Sequence, residues 1–153
     1  MRVFTSLQQA QDILSGTSKW DRLFEAIEIS DRLEHDVTYS VGDSLTWRNF
    51  TVSTPAAYFT TSRRYTTALF CKSGHIDVDI AQIWQPIEGY CDLNDRQIVQ
   101  PTTDSQSWAT HRVAQGALLL IDIHEAHRLR SCSLDFTGVQ ARITVEGRGF
   151  HNK

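Results

Sequence analysis

The sequence predicts a mainly-β domain: an antiparallel sandwich or closed barrel with two helices packed outside it. Three observations carry this. The chain opens with two short stretches of helical character. From Val37 onward the hydrophobic period changes to two. The alternating runs are short and are broken by turn residues, with no helical pattern between them, which favours antiparallel pairing.

Thr5 or Ser6 is placed to cap a first helix running to Leu14, with Gly16 just past its end. Ser18 is placed to cap a second, and Asp21 follows three residues later in the manner of a capping box. Trp20, Leu23, Phe24 and Ile27 recur on one face of that helix, while Glu25 and Glu28 fall on the other. Val37, Tyr39 and Val41 then alternate with polar residues. Gly42-Asp43 turns the chain, and Leu45 and Trp47 begin a return strand. Further strands are expected over 65–71, around Ile76, Val78 and Ile80, over 117–123 and over 139–145, with loops at 90–95 and 101–107. There is no internal repeat and no second domain, so 1–153 is read as one domain with one core.

Composition narrows the function classes. Hydrophobic residues make up 41% and charged residues 22% of 153, which is globular rather than disordered composition. The formal net charge is −3 and the basic residues are scattered, so nucleic acid is not an expected partner. No apolar run approaches the ~20 residues of a membrane span, and the opening residues lack a signal peptide's apolar stretch. Cys71, Cys91 and Cys132 are odd in number and widely spaced. A reduced, cytoplasmic setting is therefore expected, with thiols that do no chemistry.

The most informative segment runs from Gly116 through an apolar strand to Asp122-Ile123-His124-Glu125-Ala126-His127. A glycine, an apolar strand and a tight turn ending in histidine resemble the second motif of cupin barrels, in which that histidine points into the barrel mouth and binds a metal. His127 lies at the matching offset, and a neutral imidazole offers the ring nitrogen such a role needs. Asp122 and His124 stand where the cupin pattern usually has proline and a second glycine. Other polar groups expected near the mouth are Arg64, Arg142, His124 and Glu125. Tyr65 and Trp47 are aromatics able to stack on a sugar face. His75, Asp77 and Asp79 share one strand face, read as a solvated outer surface. Neither a nucleophile elbow nor a pair of glycosidase carboxylates is identifiable.

Gly42-Asp43-Ser44-Leu45-Thr46, Arg63-Arg64-Tyr65, Asp122-Ile123-His124-Glu125-Ala126 and the terminal Phe150-His151-Asn152-Lys153 sharpen the comparison. Together, in order and over essentially the whole chain, they resemble the YhcH/YjgK/YiaL family, which includes the β-subunit of a heteromeric β-galactosidase. The resemblance implies a cupin-like double-stranded β-helix (a jelly-roll barrel). It also implies either sugar anomerase activity or service as the accessory subunit of a large β-galactosidase catalytic subunit. Relatives carry a histidine before the position of Arg63, a carboxylate two residues after that of Tyr65, and often a polar residue two further on. Here Ser62, Thr67 and Leu69 occupy those places. Neutral hydroxyls are poor ligands for a divalent transition metal and leucine is none, so no metal is expected and His127 is read as a remnant of that site.

The expectation is therefore a non-catalytic accessory subunit of a β-galactosidase. The alternatives are a sugar anomerase or a sugar-binding protein using Arg64, Tyr65, His124, Glu125, His127 and Arg142. A homo-oligomer and a small sugar are the other expected partners.

Overall fold

The computed structural model describes residues 1–51, 54–102 and 107–145. The order is β1 (Arg2–Phe4), α1 (Leu7–Leu14), α2 (Ser18–Ile29), a 3-10 turn at Ser30–Arg32, β2 (Tyr39–Val41), β3 (Leu45–Phe50) and β4 (Phe59–Thr61). Then come β5 (Tyr65–Ser73), β6 (His75–Ala81), β7 (Trp84–Pro86), β8 (Gln97–Pro101), β9 (Trp108–Ala114), β10 (Leu118–Ile121), β11 (Ala126–Cys132) and β12 (Thr137–Thr144).

These strands form two antiparallel sheets, one in the order β1-β10-β5-β12-β3-β2 and the other β7-β8-β4-β11-β6-β9. The inner quartets are β10-β5-β12-β3 and β4-β11-β6-β9. The chain passes between sheets at each step from β3 to β6 and again from β9 to β12, which is the strand order of a jelly roll. The fold is thus a cupin-like jelly-roll barrel, with β1 and β2 added at the edges of one sheet and β7 and β8 at the edge of the other.

Period-two patterning explains the two cores. On the first sheet Leu45, Trp47, Ala68, Leu118, Leu120, Ala141 and Ile143 face outward and meet Leu14, Trp20, Leu23, Phe24 and Ile27 from the helices. The opposite face supplies Phe50, Leu69, Leu119 and Ile121, which pack inside the barrel against Ile76, Val78, Ile80 and Val113 of the second sheet. The helices therefore do pack outside the barrel. Each fully buried leucine or isoleucine contributes roughly 1.5–3 kcal/mol.

Ser6 caps α1, its hydroxyl accepting from the Gln9 amide at 3.1 Å. The cap position of α2 is Thr17 rather than Ser18, and Asp21 turns back to accept from the Gly16 amide at 3.1 Å. The expected strand over 117–123 is shorter, because Asp122 to Glu125 is spent on a turn closed by the Glu125 amide on the Asp122 carbonyl. The terminal string 150–153 and most of the expected loop at 101–107 lie outside the described residues. No described helix is long and apolar enough to cross a membrane.

Candidate functional site at the barrel mouth

Strand alternation decides which polar side chains enter the barrel. On β12, Val139, Ala141 and Ile143 belong to the helix-facing core, so Gln140 and Arg142 point the other way. Their register partners share that face: Arg48 of β3 lies opposite Gln140, and Thr67 of β5 lies opposite Arg142. From the facing sheet, Thr60 of β4 and His127 of β11 stand opposite each other. With Ser62, Asn94, Asp95 and Arg96 these residues wall a cavity of about 300 Å³, the size of a small-ligand site.

Asp95 fixes one side of that cavity. It has a positive φ of 50° and is 2% exposed. Its carboxylate accepts from the amides of Arg63 at 2.9 Å and Arg64 at 3.2 Å, from the Tyr90 hydroxyl at 2.5 Å, and from Arg142 Nη2 at 3.0 Å. Arg142 also donates to the carbonyls of Asn94 and Asp95, at 3.1 and 3.2 Å. Arg64 donates to the Asp92 carbonyl and lies 3.9 Å from the carboxylates of both Asp92 and Asp95. Arg63 stacks 4.1 Å over the Tyr90 ring. Burial and the Asp95 carboxylate push the Tyr90 phenol up to about 12. The loop over 90–95 is thereby pinned to the mouth through one buried carboxylate, a charge-assisted arrangement.

His127 lines the same cavity from β11. Burial pushes its imidazole down to about 4, and the positive charges of Arg142 and Arg96 act in the same direction as burial, while Glu125 opposes them. The residue as a whole still reaches solvent in part. Its Nδ1 does not, and has no hydrogen-bond partner among the described residues. Local burial at the nitrogen governs the direction of the shift, so His127 is neutral near pH 7.

The residues expected to form the site are distributed over four places. Arg142 and His127 share the cavity. Arg64 and Tyr65 join Arg142 in an adjoining cleft with Thr46, Leu93 and Asn94. There Arg142 sits 5.0 Å over the Tyr65 ring, and the Tyr65 hydroxyl donates to the Asp43 carbonyl at 3.3 Å. His124 is exposed in the turn and lines a separate depression with Trp84 and Arg63. Glu125 is buried and already engaged: it accepts from the Met1 ammonium at 2.6 Å, the Asp122 amide at 2.9 Å and the Gln82 amide nitrogen. It staples the chain start to the turn.

Trp47 does not face the cavity. It lies in the helix-facing core, stacked 5.8 Å from Tyr39. The supposedly solvated face of β6 is also partly closed. Asp79 is fully buried and paired with Arg128 at 2.7 Å, and Asp77 is paired with the Arg112 side chain at 2.8 Å. Sequence reasoning passed over Asp95, Arg48, Gln140 and Arg96. The signal for Arg48 and Gln140 was present, since each neighbours a core residue, Trp47 and Ala141, and must face the other way.

A transition metal does not fit this donor set. Around His127 the cavity offers the hydroxyls of Thr60, Ser62 and Thr67, the amide of Gln140, guanidinium groups and one carboxylate, Asp95, already engaged by Arg142, Tyr90 and two backbone amides, whereas a zinc site takes three or four nitrogen, sulfur or carboxylate ligands. Among the described residues no group of three His, Cys, Asp or Glu side chains is gathered to hold one.

No family profile matches the chain. Among solved structures, hydroquinone 1,2-dioxygenase from Sphingomonas sp. TTNP3, with 4-hydroxybenzoate bound, is 11% identical with a TM-score of 0.48, over 80% of this chain and 72% of that one. The Drosophila melanogaster CENP-C cupin domain is 10% identical with a TM-score of 0.40, over 73% of this chain and 72% of that one. Peruvianin-I, a cysteine peptidase from Thevetia peruviana latex, is 15% identical with a TM-score of 0.41. That match covers 66% of this chain and 51% of that protein, so the chain spans about half of its length. The jelly-roll assignment rests on the strand order and register given above.

Proposed function

We propose that the chain binds a small hydroxylated ligand, a sugar or sugar derivative, in the mouth of the barrel and does so without a metal. The observation that carries this is the cavity walled by Arg48, Gln140 and Arg142 from one sheet and Thr60 and His127 from the other. Such groups hydrogen-bond hydroxyls. Isothermal titration of the full chain against a panel of hexoses and hexose derivatives tests it. Saturable binding that Thr60→Val or Arg142→Gln weakens at least tenfold is expected. No saturable binding across the panel overturns the reading.

A second reading is that the chain is the accessory subunit of a large β-galactosidase chain and raises its turnover without hydrolysing anything itself. The resemblance carried by 42–46, 63–65 and 122–126 favours it. So does the second sheet, around whose strands Trp108, Ile83, Ile87 and Tyr58 are exposed. A stable subunit interface buries more than ~2,000 Å² and is apolar. Co-expression with a large β-galactosidase subunit, followed by size-exclusion chromatography and a nitrophenyl galactoside assay, separates the readings. Co-elution with raised turnover supports the accessory role, and separate elution with unchanged turnover removes it.

A further inference from the structure

We propose that the ligand of the barrel mouth is a dianion, a phosphate monoester of a sugar or polyol, with its phosphate held among Arg48, Arg96 and Arg142. This rests on the sugar-site reading and names the class of ligand that the site takes.

Charge carries the argument. The cavity wall holds three guanidiniums against one carboxylate, Asp95, so it has an excess of two positive charges. Neutral acceptors orient the arginines without cancelling their charge. Arg48 places Nε and Nη2 on the single Gln140 Oε1, at 3.1 and 2.9 Å, and Arg142 is steered by the Asn94 and Asp95 carbonyls. Arg96 has no ion pair among the described residues, and no described group other than Asp95 brings a negative charge into the wall. Glu125 is close enough to act on His127, but its carboxylate is engaged by the Met1 ammonium. Asp95 itself is shared between Arg142 and Arg64.

A neutral hexose leaves this excess uncompensated and a sugar carboxylate offsets half of it. A phosphate monoester, carrying about −1.5 to −2 at pH 7, matches it, and its oxygens suit the planar donor edges of guanidiniums. The sugar part then faces Thr60, Thr67 and His127. His127 already registers the field, since Arg142 and Arg96 both help to hold it neutral.

The test is calorimetric titration of the full chain at low salt with glucose, glucuronate, inorganic phosphate, and the 6-phosphates of glucose and galactose. At least one hexose phosphate is expected to bind tenfold or more tighter than glucose, glucuronate and inorganic phosphate. Its affinity should fall as salt rises. The exposed Arg96→Gln variant, whose side chain makes no ion pair among the described residues, should weaken that phosphate at least tenfold and make its binding less sensitive to salt. Equal affinity for glucose and the hexose phosphates overturns the dianion while leaving the sugar reading intact. Tighter binding of glucuronate overturns it in favour of a monoanion, and inorganic phosphate binding as tightly as the hexose phosphates removes the sugar part. No binding of any of the five removes both the dianion and the reading beneath it.

Discussion

His127 and Asp95 line the same mouth as two polar groups solved in opposite ways. Asp95 keeps its charge because amides, a hydroxyl and Arg142 surround it. His127 loses its charge because burial and two nearby arginines disfavour the imidazolium. The folded pKa of about 4 lies below the ordinary 6.5, so the unfolded chain binds the extra proton between those values. Stability from this group is complete above pH 6.5, falls as pH drops through the window, and is gone below 4. Its size is about 2 kcal/mol, discounted for the part of the residue that meets solvent. Urea melts across pH 4–7 should show that slope, and His127→Gln should flatten it. Arg142→Gln should raise the His127 pKa, read by NMR titration, because one of the charges opposing protonation is gone. Asp95→Ala leaves Arg142 and two backbone amides without their acceptor. A loss of about 3 kcal/mol in denaturant unfolding is expected, together with faster proteolysis within 90–95.

At the scale of elements, β12 shows how closely the sheet is packed. A methyl on Gly138 would stand 2.7 Å from the Phe70 carbonyl and 2.8 Å from Phe136 Cζ, and neither a paired backbone nor an aromatic wedged against Phe50 gives way cheaply. Gly138→Ala should cost about 1–3 kcal/mol, whereas alanine at the surface position Gln115 should be neutral in the same melt. Leu23, fully buried where α2 meets the sheet, should cost about 2–5 kcal/mol as alanine. The elements that were legible in the sequence are those with an apolar face or a short apolar run: α1, α2, the β2–β3 hairpin, β5, β6, β10 and β12. Six strands, β1, β4, β7, β8, β9 and β11, were not. β9 alternates little because most of its residues are exposed, and β11 puts His127 inward and Arg128 over Phe59 at 4.5 Å, mixing polar groups onto both faces. At the site, His127 and Arg142 were readable from the turn motif and the last strand. Asp95 was not, because a loop aspartate at positive φ carries no pattern, and its importance comes from backbone amides 31 and 32 positions away.

At the scale of the whole molecule the two sheets are treated differently. The first is covered on both faces, by the second sheet and by the helices, while the second carries on its outer face only a small buried cluster, Phe59, Ala81, Val99 and Ala126 with Trp84 against it, beside the ion pairs of Asp77 and Asp79. Deleting residues 1–33 should therefore expose Leu45, Trp47, Leu118, Leu120 and Ile143 as a continuous apolar face. The shortened chain is expected to bind a hydrophobic dye and to precipitate, and a soluble monomer with an unchanged melting temperature would show that the helices are dispensable.

The position of β12 has a consequence for how the protein is made. This strand, the last described, sits inside its sheet between β5 and β3, pairing from Thr137 to Thr144 on one side and from Gly138 to Ile143 on the other. Until it leaves the ribosome, β3 and β5 have no neighbour to join them, and the two halves of the helix-facing core cannot close. Contacts so distant in sequence form slowly, and unpaired strand edges invite the wrong partner meanwhile. A ribosome stalled before residue 137 would thus display a chain with its helices made and its barrel open, a natural client for chaperones, and the final strand would act as the keystone that releases it.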